Sequence, residues 1–363
     1  MRIAVDARPL EARPTGAGRV LEGLLPAWRR SYPSDRFILL SPNPVLQPVS
    51  LDGDTAFEVR SGPQLPGTLW LQTLAAGAAR RAGADLFLGT LSIVPAFSIF
   101  PSVALVHDLT PLLFPEWHRW RNRLGFTPFI GATVRRAARI VTVSAATRDD
   151  LLRLFPEAAE KTVVVPNGLV PPPRDPGGAP PNEGRPYVLF LGTLEPRKNV
   201  PRLVEAMEAI WDERTGFPDL LLAGGEGWGL SGFARRLAGS RHAARIRAVG
   251  WTSAAESARL IRHARLLAYP SLYEGFGLPP LEAMALGTPV VGSSSSSLPE
   301  VIADAGLLPD PTSVAEIAAA LRKANDDEAW RAGARARGLE RARVFTWEAS
   351  AAGLRAACQE ALL

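Results

Sequence analysis

A chain of 363 residues, with 47% hydrophobic and 21% charged residues, is large enough for two globular domains. Its one cysteine, Cys358, excludes a disulfide framework and a cysteine-ligated metal site, and its four histidines lack metal-binding spacing. The formal net charge is +5, and all of it falls within residues 1–170.

The first half of the chain alternates between short apolar runs and amphipathic segments. RIAVDA, RFILLS and ARIVTVS predict strands, and VLEGLLPAWRR and SAATRDDLLRLF predict helices between such strands. The stretch from Leu86 to Val106 has 21 residues without a charge, which is long enough to span a bilayer. The prolines and serines in its middle instead predict two buried strands, DLFLG and SVALV, with a loop between them.

The N-terminus MRIAVDAR has an acid at Asp6 and an arginine at Arg8, which leave no room for the apolar core of a signal peptide. We therefore expect a cytoplasmic protein, either soluble or peripheral at the inner face of the membrane.

A proline-rich stretch separates the two halves. Pro166 to Pro186 contains eight prolines and four glycines in 21 residues, which excludes a helix or a central strand. The alternation then restarts with YVLFLG, DLLLAGG, RIRAVG and RLLAYPS. We predict an open α/β domain over residues 1–168, a linker over 169–186, a second α/β domain over 187–345, and a C-terminal helix over 346–363 that could pack back on the first domain.

Two glutamates in YEGFGLPPLEAMALGTPVV (273–291) raise a question of function. Glu274 follows an apolar strand, and Glu282 is predicted in the first turn of a helix that Pro279-Pro280 starts and Gly287 ends. The backbone N–H groups near that helix start would form an anion site. The alternative is that Glu274 is a solvated loop acid and Glu282 only stabilises its helix.

The spacing of EGFGLPPLE followed by AMALGTPVV resembles the signature of retaining GT-B glycosyltransferases of family 4. FLGTLEPRKNV (190–200) is similar to the diphosphate-binding loop of that family, and TGAGR (15–19) to its N-terminal glycine loop. The chain also contains six shorter motifs in the order typical of the family: VHD, VS, VPNG, LLAGG, VGW and FTW. The resemblance implies a GT-B fold, with two Rossmann-like doubly wound domains facing across a cleft. The N-terminal domain would hold the acceptor, and the C-terminal domain would hold the nucleoside-diphosphate sugar.

The resemblance also implies roles for individual residues. Glu274 would engage the donor-sugar hydroxyls and Glu282 the ribose. Arg197 and Lys198 would stabilise the diphosphate leaving group, while Thr193 stands where many members have an arginine. His107, at the end of an apolar strand, would line the sugar site. The remaining donor-binding residues would be Gly16, Gly18, Gly250, Trp251, Gly275, Phe276, Gly277 and Leu278.

Other motifs have simpler explanations. TGAGRVL lacks the third glycine of a dinucleotide fingerprint. Asp52-Gly53-Asp54 spells DxD, which binds metal in another transferase fold, but it is interpreted as a surface turn. No cofactor and no obligatory metal are expected, and no nucleic-acid-binding signature is present. His118, His242 and His263 are assigned no role.

The segment 114–140 interleaves tryptophans and phenylalanines with arginines. Such composition suits an anionic membrane surface or a lipid-phosphate acceptor. It equally suits a helix with buried aromatic side chains and solvated arginines. Both interpretations remain open from the sequence.

The sequence leads to the hypothesis of a retaining, metal-independent glycosyltransferase. The EPRKN form of the loop resembles bacterial mannosyl- and related transferases of surface-polysaccharide assembly, so that mannose is a candidate sugar and a glycan or lipid-linked molecule the acceptor. The alternatives are an inactive relative that binds sugar nucleotides, or another GT-B enzyme such as an epimerase or a phosphorylase. A NAD-linked oxidoreductase is a further alternative.

Overall fold

The computed structural model describes residues 1–11, 16–45, 54–97, 100–118, 120–170, 173, 177, 181–225, 227, 229 and 232–363, without the side chains of residues 121 and 122. The chain divides into two compact units. Unit 1 comprises Met1–Val170 and Phe345–Leu363, and unit 2 comprises Pro171–Val344. Of the predicted linker 169–186, residues 171, 172, 174–176 and 178–180 lie outside the described residues.

Unit 1 is built on one parallel sheet. Its strands are β1 (Arg2–Asp6), β2 (Arg36–Ser41), β3 (Phe57–Ser61), β4 (Leu86–Gly89), β5 (Ser102–Val106), β6 (Arg139–Thr142) and β7 (Thr162–Val164). They lie in the order β3-β2-β1-β4-β5-β6-β7. The uncharged stretch 86–106 forms β4 and β5, both fully buried, so the prediction of two strands is confirmed.

Unit 2 repeats this arrangement with six parallel strands. They are β8 (Tyr187–Leu191), β9 (Asp219–Ala223), β10 (Ile246–Gly250), β11 (Leu266–Ala268), β12 (Val290–Val291) and β13 (Gly306–Leu307). Their order is β10-β9-β8-β11-β12-β13. In both sheets the chain winds outward from the first strand in one direction and then in the other, which is the doubly wound Rossmann topology. The predicted fold class of each domain is confirmed.

Helices connect the strands in both units. They are α1 (Gly16–Ser31), α2 (Gly67–Trp70), α3 (Ala76–Arg81), α4 (Thr110–Leu113), α5 (Trp120–Arg136), α6 (Ala145–Leu154), α7 (Val200–Glu213), α8 (Phe233–Gly239), α9 (Ala254–His263), α10 (Leu278–Ala285), α11 (Leu298–Ile302), α12 (Val314–Asp326), α13 (Glu328–Ala342) and α14 (Trp347–Glu360). Residues Leu71–Ala75 join α2 to α3 as a π-helical segment. The apolar faces of these helices cover the sheets, as parallel strands require.

The last helix, α14, belongs to unit 1 and packs along α1. The contact is close because α1 has a glycine there: a Cβ atom on Gly23 would lie 2.2 Å from the ring of Trp347. Asp35, which is fully buried, accepts hydrogen bonds from Trp28 at 3.0 Å and from Arg355 of α14 at 2.8 Å. A charged hydrogen-bonded contact therefore supplements the apolar packing of α14.

Candidate functional site

The candidate site lies where the winding direction of the unit 2 sheet reverses. β8 pairs directly with β11, and the loops that follow these two strands begin at Gly192 and Tyr269. The carboxyl ends of neighbouring parallel strands meet at one edge of the sheet, and ligands of doubly wound proteins bind there. The structure therefore brings the predicted diphosphate loop and the predicted E-x7-E loop together.

The loop after β8 is fixed at its far end by Asn199. Pro196–Lys198 forms one 3₁₀ turn, and Asn199 then adopts a left-handed conformation with φ of 59°. The Asn199 amide donates to the carbonyl oxygens of Pro270 at 3.0 Å and Pro311 at 2.7 Å. These bonds anchor the end of the PRKN turn beside the strand that precedes Glu274. Asn199 is buried and was given no separate role from the sequence.

Four charged side chains form a network between the two loops. Arg197 contacts Glu274 Oε2 through Nη1 and Glu195 Oε1 through Nε, each at 2.6 Å. Lys198 Nζ lies 2.6 Å from Glu274 Oε1 and also donates to the Tyr269 hydroxyl. Glu274 and Lys198 are only 5% and 6% exposed. The interpretation of Glu274 as a solvated loop acid is therefore wrong.

The environment of Glu274 keeps it ionised. Burial by itself would raise the pKa of this carboxyl, but the charges of Arg197 and Lys198 outweigh burial and lower the pKa to about 2. Glu195 is also buried, so the network pairs two acids with two cations. Glu195 is a residue that the sequence did not single out, although it lies within the quoted EPRKN loop.

The glycine-rich loop leads from Glu274 into α10. Gly277 caps this helix with φ of 110°, which favours glycine, and the two prolines are the second and third residues of the helix. Because the helix begins at Leu278, Glu282 lies in the second turn, and the prediction of Glu282 in the first turn is wrong. Gly275, Phe276, Gly277 and Leu278 lead into the helix start, and anion binding there would rely on the N–H groups of this loop, because the two prolines of the first turn have none.

A run of five serines, 293–297, supports this loop from the neighbouring strand. The Ser296 hydroxyl accepts a hydrogen bond from the Glu274 N–H at 2.8 Å. The Ser297 hydroxyl lies 2.9 Å from the Glu274 carbonyl and 2.8 Å from that of Phe276, and can donate to either. The sequence showed this run only as a low-complexity stretch. Its role depends on the approach of β12 to β11, for which no local pattern exists.

We expect Ser297→Ala to lower kcat/KM about tenfold, because a buried carbonyl would lose its donor at a cost of about 1–3 kcal/mol and the Glu274 loop would lose its support. Ser294→Ala is the matched control, since Ser294 is exposed and only its backbone N–H bonds to Pro309. Steady-state kinetics on both variants would check this prediction. Equal losses in the two variants would contradict it.

The remaining donor residues of unit 2 lie at the same sheet edge. Gly250 ends β10, its carbonyl accepts from the Gly224 N–H at 2.7 Å, and Trp251 follows with an exposed side chain. Thr193 is exposed in the loop after β8. Their assignment to the donor stays a prediction.

The predicted residues of unit 1 lie at the carboxyl edge of its own sheet. His107 follows β5, and its Nε2 lies 2.8 Å from the Thr90 carbonyl. Burial lowers the pKa of His107, although the Thr90 contact and the charge of Asp108 oppose the shift. Gly16 and Gly18 were expected in a loop, but α1 already begins at Gly16, so that expectation is wrong. Thr15 lies outside the described residues.

The DxD motif, which was predicted to be a surface turn, is only partly described. Asp54 accepts hydrogen bonds from the Ala56 N–H and from Arg29, each at 2.9 Å, whereas Asp52 and Gly53 lie outside the described residues. Over the described residues, no three His, Cys, Asp or Glu side chains are grouped so that they could hold a metal ion.

The segment 114–140 has features of both interpretations, the membrane surface and the packed helix. Phe126 and Phe129 of α5 pack against the unit 1 core, whereas Trp120 and Leu124 are 64% and 60% exposed. Arg119 lies outside the described residues. In the part of the chain that is described, no helix combines the length and the apolar character needed to cross a bilayer.

Comparison with known proteins defines the class. Residues 174–343 match the family described as glycosyl transferases group 1, and residues 15–171 match glycosyltransferase family 4. The solved structure of Anabaena HepE in complex with UDP covers 99% of each chain with a TM-score of 0.74 at 20% identity. The GT-B fold is thereby confirmed.

Similarity to curated proteins identifies the family of this chain. An O-antigen chain mannosyltransferase B from Escherichia coli is 35% identical over 256 residues, 68% of this chain and 67% of the relative. An MMP alpha-(1->4)-mannosyltransferase from Mycolicibacterium hassiacum is 30% identical over 335 residues, 82% of this chain and 75% of the relative. The match to the Escherichia coli serotype-specific mannosyltransferase WbdA spans only 33% of that protein. The chain belongs to the family-4 glycosyltransferases.

Proposed function

We propose that the protein transfers a sugar from a nucleoside-diphosphate donor to a glycan or lipid-linked acceptor, with retention of the anomeric configuration. The observation that carries the proposal is the network of Arg197, Lys198 and Glu274 at the winding reversal of the unit 2 sheet, beside the start of α10. This is the place where a doubly wound sheet binds a nucleotide.

The chemistry of the network suits cleavage of a sugar–phosphate bond. Negative charge grows on the β-phosphate as the bond breaks, and cations that are already in place stabilise that charge more in the transition state than in the ground state. Asn199 and Glu274 hold the PRKN turn in place before any ligand arrives. Because these cations and the backbone N–H groups of the loop that leads into α10 can support the diphosphate, we propose that no metal is obligatory.

Glu274 is proposed to orient the donor sugar. An ionised carboxylate accepts strong hydrogen bonds from hydroxyl groups, and the low pKa of Glu274 keeps it ionised throughout the physiological range. Donor binding would then exchange part of the contact with Arg197 and Lys198 for contacts between those cations and phosphate. No covalent nucleophile is assigned.

The similarity to O-antigen and MMP mannosyltransferases supports mannose as the transferred sugar and bacterial surface-polysaccharide synthesis as the setting. The UDP complex of HepE supports a nucleotide donor without fixing the base for this chain. His107, Gly16 and Gly18 are proposed to face the sugar and the acceptor.

The test is a thermal-shift panel with GDP, UDP, ADP, dTDP and NAD in EDTA. One diphosphate at about 100 times its Kd is expected to stabilise the protein by about 2.7 kcal/mol. Lys198→Met is expected to lose this stabilisation, while Lys323→Met, at an exposed position of α12, keeps it. Stabilisation by NAD alone, or by no diphosphate, would refute the donor site.

A transfer assay with the sugar nucleotide of the stabilising base separates the alternatives. Transfer to a mannose-terminated acceptor supports the proposed activity. Binding without turnover on any acceptor would indicate an inactive relative. Release of an altered free sugar would indicate an epimerase, and dependence on added phosphate would indicate a phosphorylase.

The surface of α5 is proposed to contact anionic membranes. Trp120 and Leu124 are exposed beside Arg123, and α5 contacts α2, which carries the half-exposed Leu69, through a hydrogen bond from the Thr68 hydroxyl to the Gly125 carbonyl at 3.3 Å. Apolar side chains beside cations favour a charged bilayer surface.

We expect the protein to float with vesicles that contain phosphatidylglycerol but not with phosphatidylcholine vesicles. The double variant Trp120→Ser, Leu124→Ser should weaken this binding roughly tenfold. Val344→Ser, which removes another exposed apolar side chain, should leave it unchanged. Unchanged flotation of the double variant would mean that α5 is not the contact surface.

A further inference from the structure

A cavity of about 510 Å³ lies in unit 2 on the sheet edge opposite the candidate donor site. Its wall includes Pro186 and Tyr187 at the beginning of β8, Arg265 immediately before β11, and Pro289 immediately before β12. These residues mark the amino ends of the strands, whereas Glu274 and Lys198 follow the carboxyl ends. A ligand of this cavity is therefore distinct from the sugar donor.

The cavity is strongly basic. Four arginines line it, Arg185, Arg265, Arg331 and Arg335, against a single carboxylate, Glu328. Glu328, whose side chain is 80% exposed, pairs with Arg331 and lies 3.8 Å from Arg265, so one acid faces four cations. The four arginines come from three separate parts of the sequence, and folding brings cations together that repel one another.

Hydrogen bonds to backbone carbonyls hold two of these arginines in place. Arg331 is 6% exposed, donates to the carbonyl oxygen of Ala324 at 3.0 Å, and pairs with Glu328. Arg265 donates to the Asn325 carbonyl at 3.1 Å. Burial lowers the pKa of Arg265, and the charge of Arg331 lowers it further. Backbone carbonyls and Glu328 thus fix these two guanidinium groups, and a single carboxylate shared by two cations leaves an excess of positive charge.

Arg335 supplies a further cation to the wall of the cavity. It lies on α13 with its side chain across Gly287, where an added Cβ atom would be 3.3 Å from its Cγ. Among the described residues no carboxylate pairs with Arg335. Arg185 is half-exposed and is held by Asp219 at 2.9 Å.

We infer that this cavity is a second ligand site, which binds a small phosphorylated molecule at the amino edge of the unit 2 sheet. Guanidinium groups match phosphate oxygens in a planar, two-bond geometry, and bonds between ionised partners are the strong ones. The volume is in the range of small-molecule sites and exceeds the need of a lone phosphate. Since the site is separate from the donor site, its ligand would regulate or position the enzyme and would not react.

The test is calorimetric titration of the full chain with inorganic phosphate, glycerol phosphate and glycerol. The background is Lys198→Met, which removes one of the two proposed phosphate-binding cations of the donor site and so weakens binding there. Both phosphates are expected to bind, glycerol phosphate more tightly, and glycerol not at all. Arg335→Glu should weaken binding about tenfold or more, while Lys323→Glu, an equal charge change at an exposed position of α12 outside the cavity, should not.

Three outcomes would overturn the inference. One is that the unsubstituted chain binds phosphate but the Lys198→Met variant does not. A second is the absence of phosphate binding in both proteins. The third is equal weakening by Arg335→Glu and Lys323→Glu, which would indicate only a general effect of net charge. Arg335→Ala provides a second variant that removes an exposed side chain without introducing an acid.

Discussion

Lys198→Met is expected to lower kcat by about 10²–10³-fold. Methionine keeps most of the volume of the lysine side chain but removes the cation that would stabilise the leaving phosphate. The same substitution breaks a buried pair, because Glu274 then keeps only Arg197 as its ionic partner. Loss of one partner of a buried pair destabilises a protein by about 3–5 kcal/mol, so both activity and the free energy of unfolding should fall.

A double variant separates these two effects. In Lys198→Met, Glu274→Gln, both members of the pair are neutral, and Arg197 keeps Glu195 at 2.6 Å. The network is again balanced, with one acid and one cation, so the double variant should be more stable than the sum of the two single losses predicts. Its activity should remain as low as that of the worse single variant. Recovery of activity together with stability would show that Lys198 acts only through folding.

Acid unfolding provides a second test of the pair formed by Glu274 and Lys198. The Glu274 pKa lies at about 2 in the folded protein against an ordinary 4.5, so its ionised form contributes stability above pH 4.5. That contribution is lost as the pH falls from about 4.5 through about 2. Urea unfolding at several pH values should therefore show a shallower acid dependence in Glu274→Gln than in the unsubstituted protein.

Gly224→Ala is expected to destabilise unit 2 by roughly 3–5 kcal/mol, combining backbone strain with overpacking. Gly224 follows β9 with φ of 150°, and a Cβ atom there would lie 1.9 Å from the Gly192 carbonyl oxygen. Because the obstacle is backbone, the loop after β8 must shift. That loop leads to Arg197 and Lys198, so diphosphate binding should weaken in parallel with the loss of stability.

Gly250→Ala is the matched control for Gly224→Ala. Gly250 also has a positive φ, 74°, but no atom lies within 4 Å of an added Cβ. It should therefore cost only about 1–2 kcal/mol of backbone strain. Chemical denaturation of both variants, with nucleotide binding measured on each, would check the difference. Equal costs would mean that the contact with Gly192 relaxes without consequence.

Much of the fold could be predicted because its signals are local. Apolar runs bounded by glycine and proline indicated the strands, and an uncharged stretch between Leu86 and Val106 was divided correctly by its prolines and serines. The E-x7-E spacing and the PRKN turn indicated the candidate donor site. These patterns each lie within one short segment of the chain, where neighbouring residues determine the conformation.

The features that the sequence did not reveal have two causes, the conformational freedom of glycine and contacts between distant segments. Glu282 was placed one turn too early, because Gly277 can take a φ of 110° and lets the helix begin before the two prolines. The helical start at Gly16 was missed because glycines usually indicate loops. Ser297 gains its role only when β12 lies beside β11, and the basic cavity forms only when residues 185, 265, 331 and 335 meet.

The membership of α14 in unit 1 sets the order in which the chain can complete its folding during synthesis. Unit 1 begins to emerge from the ribosome before unit 2, yet Trp347, Leu354 and Cys358, all buried in unit 1, emerge after the whole of unit 2. Domains ordinarily fold in sequence as they leave the ribosome. Here unit 2 has its entire sequence available before unit 1 does, so unit 1 can complete its packing only after unit 2 has been synthesised, and any truncation before α14 leaves the apolar face of α1 uncovered.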